Sequence, residues 1–421
     1  MRLSLAGRQV NELLHIGFNQ DYGCFACGTD KGFRIYNSDP FNETFRRDFV
    51  LGGIGVVEML FRCNILALIG GGRNPAYPKE RIMIWDDHQH RNIGKLEFRS
   101  EVLAVKLRRD RVVAVLEKKI YVYNFASLGL IDSIETMSNP KGLCAICSAR
   151  AMVLACPGLK PGCVKVDTGR RDLIIQAHES DLACITLNME GTLLATASDN
   201  GTLIRVFSTA DGSALQELRR GSDKAIIYCI AIDPASQYIA CTSDKGTVHI
   251  WGLSKETTAV AALDSGAASP AESSRSQSRS QSRSRSTSSA APGVEDSANN
   301  GADRGSGSSD IGGSGAGGAT GSGDGGGEAG SGVQNTTSNF SFLRGLVPLN
   351  YLNSEWSFAQ FRPRSSNHET RALVAFGSKP KTIVVVVADG GHYTASFANG
   401  GTCVETGYVR FARSSTDDDD Q

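Results

Sequence analysis

Two adjacent arginines, Arg219 and Arg220, stand in the run Leu218-Arg219-Arg220-Gly221, and their type and spacing suit the binding of anions. Successive side chains of a β-strand point to opposite faces. If Leu218 to Arg220 end a strand, two neighbouring fixed cations reach into two different clefts. Each guanidinium can fork onto phosphate oxygens, so one short motif makes two anion sites. Gly221 is expected to let the chain turn sharply just afterwards.

Residues that complement a phosphate flank this run. His178, Thr196, Ser198, Gly201, Thr202 and Arg205 precede it; Thr242, Ser243, Thr247 and His249 follow it. The two groups correspond internally. Ser198-Asp199-x-Gly201-Thr202 matches Ser243-Asp244-x-Gly246-Thr247, and Arg205 before Val206-Phe207 takes the place of His249 before Ile250-Trp251. Hydroxyls, turn amides and a basic side chain supply the charge and hydrogen bonds that a phosphorylated head group requires. Read without the arginine pair, the same S-D-x-G-T runs are ordinary hairpin turns.

The elements that must position these residues form a repeat. Strand-like segments end in anchors at Tyr36, Trp85, Tyr123, Val166, Phe207 and Trp251, spaced 38 to 49 residues apart. Four short strands per unit at such a period mark a WD-type β-propeller. The rhythm breaks after Trp251 and resumes over 354–362, 371–377, 382–388, 392–397 and 404–411. About seven repeats result, so the expected fold is all-β, a seven-bladed propeller with a long loop inserted in the sixth blade. Residues 8–255 would hold blades one to five and the first part of six, and 354–413 the end of blade six and blade seven. Residues 256–338 are Ala/Ser/Gly-rich, with Ser-Arg alternation around Arg275, Arg279, Arg283 and Arg285. They bury too little apolar surface to offset chain entropy, so a disordered insertion is expected. The tract reads as an interaction tail, a basic brush near anionic lipid, or a spacer. Residues 414–421 form an acidic, solvated tail.

Composition narrows the function classes. The 421 residues carry 44 basic and 44 acidic side chains, a balance that argues against broad electrostatic wrapping of nucleic acid. No apolar run approaches a membrane span, and the start is too short in its apolar part for a secretory signal. The eleven cysteines then read as reduced cytosolic thiols. Cys24/Cys27 and Cys144/Cys147 lie in strand-like runs, where residues three apart face opposite ways, so neither pair is expected to grip a metal. No nucleophile–base set or H-E-x-x-H appears, and Gly70-Gly71-Gly72 leads into Pro75 rather than a phosphate loop and helix. Neither an enzyme nor a cofactor is expected.

The L-R-R-G run between its two S-D-x-G-T turns resembles the signature of the PROPPIN family, WIPI-type propellers of autophagy that bind phosphatidylinositol 3-phosphate and 3,5-bisphosphate. The resemblance extends to Phe18-Asn19-Gln20-Asp21, Val56–Leu60, Ala67–Gly72, Arg81–Asp86, Tyr228–Trp251 and Ser354–Phe361. Leu218, with Ala76-Tyr77-Pro78 and Ile84-Trp85-Asp86, points to the shorter WIPI branch that works with a rod-shaped lipid-transfer protein. It implies a first lipid site of Arg219 with His178, Thr196, Ser198, Gly201, Thr202 and Arg205. Thr196 stands where many relatives have serine and keeps the hydroxyl. A second site would comprise Arg220, Gly221, Thr242, Ser243, Thr247 and His249. A membrane-inserting loop over 339–353 would carry Phe340, Phe342, Leu343, Leu346, Val347, Leu349, Tyr351 and Leu352. Asn19 and Asp21 match the positions used toward the lipid-transfer partner, although Asn-x-Asp alone is good turn chemistry.

The implied protein is a non-enzymatic, monomeric, cytoplasmic effector. It would be recruited to preautophagosomal, autophagosomal and endosomal membranes without binding nucleic acid. The competing reading is a generic WD-repeat interaction scaffold with structural arginines. Phe45-Arg46-Arg47-Asp48 serves as an internal control: its arginine pair lacks the glycine and the turn, and no lipid site is expected there.

Overall fold

The computed structural model describes residues 13–50, 52–149, 151–262, 335–336, 354–364 and 369–412. Seven sheets follow one another around a ring, each built on a four-stranded antiparallel meander, and blades five and six each gain a short parallel strand at the edge. Blades one to four begin at Leu13, Ile54, Ala104 and Ala145. Blade five comprises Leu182–Leu187, Leu193–Ser198, Leu203–Ser208 and Ala214–Arg219. Blade six comprises Ile227–Ile232, Tyr238–Ser243, Val248–Gly252 and, after the insertion, Ala359–Phe361. Blade seven is built from Ala372–Phe376, Thr382–Val387, Gly391–Ser396 and Val404–Arg410. The anchors at Tyr36, Trp85, Tyr123, Val166, Phe207 and Trp251 all fall in third strands.

Side-chain alternation explains where the core lies. Inner strands bury both faces because each blade is covered on either side, and every residue of Leu193–Ser198 is buried. Outermost strands alternate, as in Asn42–Asp48. Between blades five and six, Ala195, Ala197, Ile204 and Leu218 pack against Ile227, Ile230, Cys241 and Trp251. The other face of blade five sets Ile185, Leu187, Leu194 and Phe207 against Val164, Val166 and Ile175 of blade four. The cysteine pairs behave as expected: Cys24 and Cys27 enter different clusters, as do Cys144 and Cys147.

Two expectations are corrected. Lys255–Ala262 form a helix where the chain was expected to lose structure from Glu256. The Ser254 hydroxyl caps its start by accepting the Thr257 amide at 3.1 Å, and Ala261 packs into the cluster between blades five and six. The segment expected as one strand over 354–362 is broken in two. Glu355–Trp356 pair in parallel with the outer strand of blade five, and only Ala359–Phe361 complete blade six. Asn335 lies beside the end of the third strand of blade six. Its side-chain amide exchanges two 2.8 Å bonds with the Gly252 backbone, as a strand neighbour would. The rest of the expected insertion, the apolar loop residues Phe340–Leu352 and the acidic tail lie outside the described residues.

The ring closes through side chains. Among the described residues, the strands of blade one lie within 13–48 and those of blade seven within 372–410, with no strand exchanged between chain ends. Phe25 stacks on Tyr36 at 5.0 Å and meets Phe411 at 5.3 Å and His392 at 5.9 Å. The His392 Nε2–H donates to the Ser38 carbonyl at 2.8 Å; burial outweighs this bond, which favours the charged ring, and lowers the pKa. Phe25→Ala would open a cavity in this closure and is expected to cost about 3–5 kcal/mol. Equilibrium denaturation checks this; a cost comparable to a surface substitution would mean that the closure rests elsewhere.

Candidate functional site

In each blade, the turn between second and third strands and the link to the next blade share one rim, because the strands run antiparallel. Arg219 and Arg220 end the last strand of blade five on that rim. Register fixes their directions. Thr196 lies opposite Arg205, Arg205 opposite Glu217, and Leu203 opposite Arg219, which places Thr196, Arg205 and Arg219 on one face. Leu218, one residue before, is buried against blade six, so the face of Arg219 looks toward blade four. Arg220 has the opposite parity. Its charge acts on His249 and Cys241 of blade six. The two arginines thus enter different inter-blade clefts.

In the first cleft, His178 Nε2 bonds the Thr196 hydroxyl at 2.9 Å. Burial, then the nearby Arg205 charge, lowers the His178 pKa to about 4. Arg205 is itself engaged, donating to Glu217 at 2.8 Å and to the Ala177 carbonyl at 2.7 Å. Arg219 is buried, and its Nε donates to the Ser354 hydroxyl at 2.8 Å. Ser198 is buried two residues beyond Thr196 on the same strand.

In the second cleft, Arg220 Nε donates to the Gly201 carbonyl at 2.8 Å, and Nη2 donates to the Asp223 carbonyl. Both acceptors are neutral, and toward the described residues Arg220 spends two of its five N–H groups, leaving three to meet a ligand. His249 stacks on Trp251 at 5.7 Å and bonds Ser357 through Nδ1 at 3.0 Å. Burial, then Arg220, lowers its pKa to about 4. Ser243 and Thr247 lie on the blade-five side by alternation from Cys241 and His249.

Several sequence assignments shift. Thr242 does not join Arg220: adjacent side chains alternate, and its hydroxyl bonds the Ala372 carbonyl of blade seven at 2.6 Å. Gly201 walls the second cleft rather than the first, since its carbonyl holds Arg220. Its φ is +62°, and a Cβ would come 1.9 Å from the Ala225 carbonyl oxygen, so only glycine fits. The Thr202 carbonyl likewise accepts the Arg220 amide at 2.9 Å. Gly221, expected to serve a sharp turn, has no positive φ, and a Cβ there would meet nothing within 4 Å. Its small size leaves space beside Arg220 that the fold does not need. The proposed match of Arg205 with His249 also carries a one-residue offset, three residues after Thr202 against two after Thr247.

Asn19 is 2% exposed, donates to the Phe61 carbonyl at 3.2 Å and accepts the Cys24 amide at 3.0 Å. It is turn structure, not a presented contact. Asp21 accepts the Gly23 amide and pairs with Arg62 at 3.4 Å. The control pair is neutralised by carboxylates, Arg46 by Glu43 at 2.6 Å and Arg47 by Asp87 at 2.8 Å. Sequence reasoning missed Ser354 and Ser357, one hydroxyl in each cleft from a single four-residue segment. Among the described residues no cluster could hold a metal, and no helix is long and apolar enough to cross a membrane.

The PROPPIN family model matches residues 12–268. Autophagy-related protein 18e of Arabidopsis thaliana is 44% identical over 247 residues, covering 58% of this chain and 66% of that protein. SVP1-like protein 2 of Neurospora crassa is 43% identical over 247 residues, covering 58% of this chain and 56% of its own length. The matches therefore span less than two thirds of either relative. Kluyveromyces lactis Hsv2 superposes with a TM-score of 0.63 at 20% identity, over 95% of this chain and 99% of that one. The complex of KlAtg21 with the coiled-coil of AgAtg16 gives 0.63 at 19% identity, over 96% and 100%. Both likenesses show the fold.

Holding two imidazoles near 4 rather than 6.5 gives folding a pH dependence. The unfolded chain takes up protons first, so the stability tied to the neutral rings is complete above pH 6.5 and is lost as pH falls toward 4. Over that window the denaturation midpoint is expected to fall more steeply in the wild type than in a His178→Gln, His249→Gln variant. Identical slopes would show that these rings are not the source.

Proposed function

This chain belongs to the PROPPIN family, and on that premise we propose that it is a non-enzymatic phosphoinositide effector acting in autophagy. Its ligands would be membrane phosphatidylinositol 3-phosphate and 3,5-bisphosphate. The observation that carries this reading is the pair Arg219 and Arg220 on opposite faces of one strand end, each entering a cleft with a buried, neutral histidine. A head-group phosphate in either cleft would meet a guanidinium, hydroxyls and an imidazole able to take up a proton. Arg219 and Arg220 supply fixed charge, and Thr196, Ser198, Ser243 and Thr247 supply hydrogen bonds. Two head groups on one rigid rim give avidity without one very tight contact.

The wider reading follows the same premise. The 339–353 loop would enter the bilayer interface, and the protein would sit peripherally on autophagic and endosomal membranes. KlAtg21 is seen with a coiled-coil of AgAtg16, which supports a protein partner for this chain as well. We assign that role to a lipid-transfer protein engaged through an edge that includes Asp21.

Arg219→Thr with Arg220→Thr is expected to abolish flotation with phosphatidylinositol 3-phosphate vesicles while the circular dichroism spectrum persists. Each single change should leave partial binding, and Arg46→Thr with Arg47→Thr should leave it intact. Wild-type flotation by the Arg219/Arg220 variant would favour the plain scaffold instead. Anion binding beside His178 and His249 also raises their pKa values, so it takes up protons. Affinity for soluble inositol 1,3-bisphosphate should gain as pH falls from about 6.5 toward about 4, where the bound ring takes up a proton before the free one, and His249→Gln should blunt the gain. Calorimetry at the two pH values measures this, and a flat profile would exclude the histidines from the sites.

A further inference from the structure

The large apolar side chains left exposed among the described residues lie either on outer strands or on the rim that carries the arginine clefts. Two of the rim residues flank the clefts: Leu159 is 72% exposed and Ile226 54% exposed. Single exposed aliphatics are ordinary. What sets these two apart is the backbone that holds them.

Leu159 sits on the tight turn of blade four. The Gly158 amide donates to the Cys163 carbonyl at 2.9 Å, and the Ala177 and His178 amides both donate to the Gly162 carbonyl, at 3.0 and 3.1 Å. That turn is bonded directly to the peptide of the first-cleft histidine. Ile226 lies on the link from blade five to blade six. Its amide donates to the Asp244 carboxylate at 3.0 Å, and its carbonyl accepts the Asp244 amide at 3.0 Å. The same link supplies the Asp223 carbonyl that holds Arg220. Each cleft therefore carries one aliphatic side chain held outward by a rigid turn. Lys160 follows Leu159, and Lys224 lies two residues before Ile226. Asp244 is already committed to the Ile226 amide and lies 3.7 Å from Lys245.

We propose that Leu159 and Ile226 are direct contacts with the lipid bilayer whose head groups fill the clefts. They enter the boundary between head groups and acyl chains on either side of the arginine pair. This inference rests on the phosphoinositide reading above. Neighbouring lysines extend toward lipid phosphates while the aliphatic groups leave water. The contacts are independent of residues 339–353 and favour a bilayer over a free head group.

The test compares two ligands in the full chain: phosphatidylcholine vesicles containing phosphatidylinositol 3-phosphate, and soluble inositol 1,3-bisphosphate. Leu159→Ser with Ile226→Ser is expected to weaken vesicle binding roughly tenfold, from the lost burial of aliphatic groups. Binding of the soluble head group should be unchanged. Both positions are exposed, so the melting temperature serves as the folding control. A Leu159→Trp probe should shift its emission to the blue on vesicles and not with the soluble head group. A double variant that binds vesicles as the wild type does, or a Leu159→Trp probe that does not shift, overturns the proposal. Failure of the wild type to take up either ligand overturns the phosphoinositide reading itself, and is seen before any substitution is made.

Discussion

Each blade must bury two faces at once, and that constraint organises the molecule. A blade in a ring has a neighbour on both sides, so residues of either parity meet protein rather than water. Ile204 and Leu218 turn to blade six, while Phe207 and Leu194 turn to blade four. Chemistry at the end of such a strand inherits the same division. Arg219 and Arg220 are neighbours in the chain, yet their guanidinium groups belong to different interfaces. No separate device is needed to make two sites.

Burial then decides the character of the sites. His178 and His249 are kept neutral by desolvation, with a neighbouring arginine acting in the same direction. The clefts are thus built around fixed guanidinium charge, with imidazoles that become charged only when an anion favours it. Arg46 and Arg47 show the alternative. Carboxylates already neutralise that pair on an outer strand, and it has no comparable demand for a ligand. Adjacent arginines alone do not define a site; the acceptors that face them do.

Much of the fold was legible because the period-two pattern and the recurrent third-strand anchors are local. Tyr36, Trp85 and Trp251 mark their blades without knowledge of what they touch. The arginine pair was legible for the same reason, since alternation is a property of the strand. Thr242 was misplaced because similarity between turns says nothing about which face one residue occupies. Asn19 was misread because capping a turn and presenting a ligand call for the same polar side chain. Ser354 and Ser357 were not seen because their partners lie 135 and 108 residues away in sequence. The pairing of Glu355–Trp356 with blade five and of Ala359–Phe361 with blade six brings them there.

The two described ends of the long insertion lie at the same corner of the ring. The Ala261 carbonyl accepts the Thr192 hydroxyl of blade five, and the Asn335 amide is bonded to Gly252. Chain added between them lengthens a detour whose departure and return points are already fixed by the propeller. Closing a longer flexible connector costs only a logarithmic increment. This corner is therefore a natural point of evolutionary growth, where sequence and length can diverge while the clefts keep their geometry.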